Sequence, residues 1–125
     1  YGMKLGIAFQ IVDDALDYQD GEKTGKPVGG DLQERKITLP LSQLIKNASN
    51  SDRKRLKKIL SLKKIRDPQI NEVIKLMKQY GTIDYTLAVS KKHSKQAKNI
   101  IEYFPPTNLR ETLKDIADYI VNREL

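Results

Sequence analysis

Leu5-Gly6-Ile7-Ala8-Phe9-Gln10-Ile11-Val12-Asp13-Asp14-Ala15-Leu16-Asp17-Tyr18 is the stretch that decides how this chain folds. Three carboxylates fall inside five residues of an otherwise apolar segment. On a helix, Asp13 and Asp17 lie one turn apart, Asp14 lies beside them, and Gln10 lies one turn before. Four oxygen-bearing side chains then share one narrow stripe. Gly6 lies on the same stripe and leaves room for something bulky. The other positions are Leu5, Ile7, Ala8, Phe9, Ile11, Val12, Ala15 and Leu16, the pattern of a buried helix. Carboxylates crowded on such a helix repel one another and need cations. Hard oxygen donors that leave positions open for phosphate oxygens suit Mg2+. Most aspartate clusters are solvated helix faces, but the apolar surroundings here favour the metal.

Residues 21–36 carry four of the seven glycines together with Pro27, which reads as a loop. They also carry Lys23, Lys26, Arg35 and Lys36. A carboxylate cluster followed by a flexible basic loop is what a diphosphate requires: metal on one side, ammonium groups on the other, and a lid between them. Lysine suits the task as a compact point charge.

The pattern Gly6-x-x-Phe9-Gln10-Ile11-x-Asp13-Asp14-x-Leu16-Asp17 is followed by Gly25-Lys26-x-x-Gly29-x-Asp31-Leu32 and Lys36-x-Thr38-Leu39-Pro40-Leu41. Together these resemble the second aspartate-rich region of the trans-isoprenyl diphosphate synthases, the polyprenyl synthases. The ending, Ile116 to Leu125, is similar to the C-terminus of long-chain bacterial members. Two positions depart from the bacterial pattern: Gly30 stands where an acid is common, and Arg35 where glycine is common.

The resemblance implies an all-α chain, the C-terminal helices of the prenyl synthase fold. Residues 1–125 would be one part of a single domain whose N-terminal half is absent. It implies a prenyltransferase that joins an allylic diphosphate to isopentenyl diphosphate, with Mg2+ as cofactor and a homodimer as the assembly. Asp13 and Asp17 would be direct metal ligands, and Asp14 would act through metal-bound water. Gln10, Lys26 and Lys36 would face the diphosphate. The first aspartate motif and the isopentenyl-binding arginines of the family are not in this sequence, so the chain alone is expected to be inactive. A second reading is a non-catalytic helical subunit that stabilises a partner synthase.

Composition sets the bounds. At 125 residues and 14.3 kDa there is at most one domain. With no cysteine there is no disulfide or thiolate metal site, and a reducing, cytoplasmic setting is expected. No apolar run reaches membrane-span length, so membrane contact is expected to be peripheral at most. The net charge is +7, with much of the excess between Arg53 and Arg66. Leu56, Ile59 and Leu60 form a stripe there whose solvated back is Arg53, Lys54, Lys57 and Lys58. Without aromatic interleaving, no nucleic-acid role is expected.

Every periodic segment is helical. The spacing predicts helices over residues 1–18, 38–47, 52–62, 67–81, 82–103 and from Asn108 onward, the last opened by Asn108 with Glu111. Phe9 reads as packing near the site, Asp31 as a lysine partner or N-cap, and His93 as a solvated residue. Tyr80, Tyr85, Tyr103 and Tyr119 read as core or interface.

Overall fold

The computed structural model describes residues 1–19 and 28–122. Seven helices are present among them: α1 (Gly2–Leu16), α2 (Gly30–Gln33), α3 (Leu39–Asn47), α4 (Asn50–Leu60), α5 (Asp67–Tyr80), α6 (Thr82–Ile101) and α7 (Asn108–Asn122). No strand occurs among the described residues, so the fold is all-α, as the pattern predicts.

Local chemistry sets the boundaries. Ser49 caps α4, its Oγ accepting from the Asp52 amide at 3.1 Å. Pro40 and Pro68 sit in the first turns of α3 and α5, where a missing N–H costs nothing. Gly81, at φ +65°, ends α5 in the left-handed region and lets α6 start at once. α6 ends at Ile101, ahead of Pro105 and Pro106. The cap of α7 is Thr107, whose Oγ1 accepts from the Arg110 amide at 3.3 Å. Asn108 is instead the first residue of that helix.

α1 packs most extensively on α6, and α7 covers the groove beside them. Small residues on both elements let the backbones approach: Ala8, Val12 and Ala15 on α1, and Thr86, Ser90, Ser94 and Ala97 on α6. The buried hydroxyls are satisfied locally. Thr86 donates to the Thr82 carbonyl at 2.7 Å, and Ser94 reaches the Ala117 carbonyl of α7 at 2.9 Å. A second core joins α2, α3, α4 and α5 through Leu32, Leu41, Leu44, Leu56, Ile59, Ile70, Val73 and Met77. α3 links the two halves, contacting α1, α5 and α6.

Two expectations about α1 and the loop need correction. α1 is buried on one side only: Met3 is 79% exposed, and Ile7 and Phe9 are also exposed. Residues 30–33, read as loop, form α2, because Leu32 inserts fully into the core beside Ile70. Tyr85, Tyr103 and Tyr119 are exposed rather than core, while Tyr80 is half-buried. His93 is half-buried rather than solvated. Burial, then Lys4 and Lys92, holds its imidazole below the usual value.

Candidate functional site

The open side of α1 is the side that carries the carboxylates. Ala8, Val12 and Ala15 face the core, so Gln10, Asp13, Asp14 and Asp17 project from the opposite arc. These four, with Asp31, Lys36 and Thr38, line one cavity of about 250 Å3. The structure therefore brings together the predicted residues Gln10, Asp13, Asp14, Asp17 and Lys36. Lys26 and Lys23 lie outside the described residues.

Residues 29–31 are stitched onto Asp17. The Gly29 amide donates to the Asp17 carbonyl at 2.8 Å, and the Asp31 amide donates to Asp17 Oδ2 at 2.9 Å. Gly29 takes φ +79°, and a Cβ there would meet Ile70 Cγ2 at 2.5 Å, so both backbone and space require glycine. Asp31 meets the site through its amide and through its carboxylate, whose charge acts on Asp14 and Lys36, and Gly29, not Asp31, is the N-cap of α2. Gln10 Nε2 donates to Asp14 Oδ1 at 3.0 Å, one turn along the helix. Gln10 is both exposed to the cavity and an orienting partner of a carboxylate.

Burial raises the Asp14 carboxyl above its ordinary value. Asp31 and Asp13 push the same way, against the Gln10 bond and Lys36. Burial likewise raises Asp17, opposed by the amides of Asp31 and Gly30. Lys36 stands at the rim and pairs with Glu34 at 2.9 Å, both side chains more than half exposed. The Glu34 bond and charge raise the Lys36 ammonium above its usual value.

Asp, Gln and Thr oxygens form a hard donor set, which fits Mg2+. Among the described residues, no three carboxylate or histidine side chains already converge as a metal cage. A closed cage is not what this ion takes. Mg2+ keeps several waters and uses one or two carboxylates together with phosphate oxygens. Burial is the largest cause of the raised Asp14 and Asp17 carboxyls, and neighbouring carboxylates add to it.

Three residues of this site escaped the sequence reading. Glu34 is the partner of Lys36, and the spacing of an acid two positions before the lysine was its only signal. Thr38 lines the cavity, and Tyr18, 3% exposed, lies close enough to feel the charges of Asp17, Asp31 and Asp14. Burial pushes the Tyr18 phenol up, and Asp17, Asp31 and Asp14 push further. Arg35 adopts φ +59°, the left-handed backbone that favours glycine. That accounts physically for glycine being common at this position in the family it resembles.

An all-helical chain whose first helix presents clustered carboxylates to a cavity with a lysine on its rim is the class this fold and site define. The sequence pattern of the polyprenyl synthetase family matches residues 1–77, and the chain belongs to that family. It is 40% identical over 125 residues to a short chain isoprenyl diphosphate synthase of Methanothermobacter thermautotrophicus, covering 99% of this chain and 38% of that one. It is 33% identical over 124 residues to the octaprenyl diphosphate synthase of Haemophilus influenzae, covering 98% and 37%. The crystal structure of a polyprenyl synthase from Caulobacter crescentus, complexed with calcium and isoprenyl diphosphate, matches with a TM-score of 0.91. It is 32% identical and covers 100% of this chain and 38% of that one. The chain therefore spans under two-fifths of the length of these relatives.

Proposed function

We propose that this chain supplies the diphosphate-holding C-terminal part of an Mg2+-dependent polyprenyl diphosphate synthase. The complete enzyme joins an allylic diphosphate to isopentenyl diphosphate. The observation that carries the reading is the gathering of Gln10, Asp13, Asp14, Asp17 and Lys36 around one cavity. Membership of the polyprenyl synthetase family and likeness to a synthase complexed with calcium and isoprenyl diphosphate support it.

Asp13 and Asp17 would hold the cation directly and Asp14 through bound water. Bound there, the cation neutralises charge on the departing diphosphate. The chain's own residues do the rest. The amides of Gly30 and Asp31 fix the Asp17 carboxylate, and Gln10 fixes that of Asp14. Lys36 binds an entering diphosphate by exchanging Glu34 for a more highly charged partner. An exposed pair of this kind is weak enough to give way. Lys26 is assigned to the same diphosphate from its motif position.

The acidic cavity is one half of a two-substrate site. Coupling needs both diphosphates held in register, so the 125-residue chain alone is inactive on this reading. The exposed Met3, Ile7 and Phe9 support a covering surface beyond this chain. A homodimer and a cytoplasmic setting complete the proposal. No described helix is long and apolar enough to cross a membrane.

Mn2+ in place of Mg2+ tests the site on the chain itself. With inorganic diphosphate present, Mn2+ should broaden the amide signals of Gln10, Asp13, Asp14, Asp17 and Asp31 ahead of all others. Broadening centred elsewhere, or unchanged in an Asp13→Ala variant, overturns the assignment.

A further inference from the structure

From Arg53 to Arg66 the chain carries eight basic residues and no acid. The structure sorts them into two groups. Two of the three arginines have their guanidiniums engaged, and Arg66 contributes its backbone amide. Arg53 donates to the carbonyls of Ile45, Lys46 and Ala48 and so closes the end of α3. Arg55 holds Glu72 through two bonds, of 2.6 and 2.8 Å. Arg66 caps α5, its amide donating to Gln69 Oε1 at 3.1 Å. The five lysines, Lys54, Lys57, Lys58, Lys63 and Lys64, are all exposed and enter none of these bonds.

The three on α4 share one side, and Lys63 and Lys64 follow in the turn beyond it. Leu56, Ile59 and Leu60 turn α4 toward the core, so Lys54, Lys57 and Lys58 lie on the opposite arc. Ile65, 2% exposed, pins the turn that follows, which keeps Lys63 and Lys64 beside the helix end. Leu62 stands among them, 37% exposed. None of this borders the acidic cavity.

We propose that this lysine face is a docking surface for an anionic lipid bilayer. Charge complementarity names an anionic partner, and the residue types choose among anionic partners. Lysines are mobile point charges suited to a field of headgroups, whereas the planar forks that read nucleic-acid edges belong to arginine, and here those of Arg53 and Arg55 are engaged. No aromatic occurs between Asn50 and Arg66 on which a base would stack. The exposed Leu62 offers an apolar contact at the headgroup level. The inference stands apart from the proposed reaction, since it involves no residue of the acidic cavity.

The test is vesicle co-sedimentation of the full chain at about 0.15 M salt. Vesicles of phosphatidylglycerol mixed with phosphatidylcholine are compared with phosphatidylcholine alone. A variant with Lys54, Lys57, Lys58, Lys63 and Lys64 replaced by Gln is set against a control with Lys46, Lys75, Lys91, Lys92 and Lys95 replaced by Gln. The two variants have equal net charge. The chain should bind only the anionic vesicles. Each lysine is worth about fivefold in partitioning near such a surface, so the face variant should lose binding by roughly a hundredfold or more while the control keeps most of it. The chain has no cysteine, so a Ser61→Cys variant carrying an environment-sensitive dye gives a second readout, a blue shift on anionic vesicles. Binding no better than to phosphatidylcholine, equal loss in both variants, or binding to an oligonucleotide but not to vesicles would overturn the proposal.

Discussion

The backbone amide of Asp31 donates to the Asp17 carboxylate at 2.9 Å, so the residue that ends the aspartate motif also anchors α2. This gives Asp17 two separable duties, one as a hydrogen-bond acceptor and one as a negative charge. An Asp17→Asn variant keeps an acceptor oxygen and should keep the native stability within about 0.5 kcal/mol. Asp17→Ala should cost about 1 kcal/mol or more. Both should lose diphosphate-dependent Mn2+ binding. Urea unfolding and metal titration, run on the same two variants, separate the duties.

The turn around the cavity contains one backbone position that needs glycine and has it, and one that favours glycine and lacks it. Gly29→Ala adds a Cβ at φ +79° against Ile70 and should destabilise by about 1–3 kcal/mol. Arg35→Gly relieves a left-handed arginine at φ +59° and should stabilise by up to about 1 kcal/mol. Opposite shifts in the unfolding midpoint are the expected outcome.

How far these features could be read in advance varied with their physical origin. Helices α3, α5 and α6 follow from apolar periodicity with Pro40, Pro68, Gly81 and the Pro105-Pro106 stop, all local signals. The gathering of Gln10, Asp13, Asp14 and Asp17 on one face of α1 was legible because carboxylates are conspicuous among Ile11, Val12 and Leu16. The half-open state of α1 was not. Met3, Ile7 and Phe9 are as apolar as the residues on its buried side, and periodicity cannot say which apolar face has a partner. α2 was hidden by Gly29 and Gly30, since a four-residue helix held by one inserted leucine has no period to detect. Glu34 is an ordinary loop residue in sequence and gains meaning only beside Lys36 in space, and Thr38, legible as part of a motif and a helix start, gains a place at the cavity.

Glu72 supplies a pH test remote from the cavity. The Arg55 bond and charge hold its carboxyl below the ordinary glutamate value, against a smaller effect of burial. A depressed acid contributes stability above its unfolded pKa and loses it as pH falls through the folded value. The thermal midpoint of the chain should therefore exceed that of Glu72→Gln near neutral pH, and the gap should close between about pH 5 and pH 3. The gap should be small, since both side chains are substantially exposed. A gap that widens on acidification would contradict the pairing.

Tyr80 ties the end of α5 to the start of α4. Its hydroxyl donates to Asp52 Oδ2 at 2.6 Å and accepts from the Ser49 amide at 3.0 Å. Tyr80→Phe leaves both partners in place and removes the link, so chemical denaturation should show a loss of about 1–2 kcal/mol. An unchanged midpoint would mean that water replaces the hydroxyl at no cost.

The claim on which the account turns is that the open carboxylates of α1 hold the cation of a prenyltransferase. Its most direct test is prenyl transfer by the synthase extended to its relatives' full length, assayed with allylic diphosphate, radiolabelled isopentenyl diphosphate and saturating Mg2+. Asp13→Ala and Asp17→Ala should each lower kcat by about a thousandfold or more, while circular dichroism shows the helices intact. Turnover within a few-fold of the unmodified enzyme, in either folded variant, would contradict it.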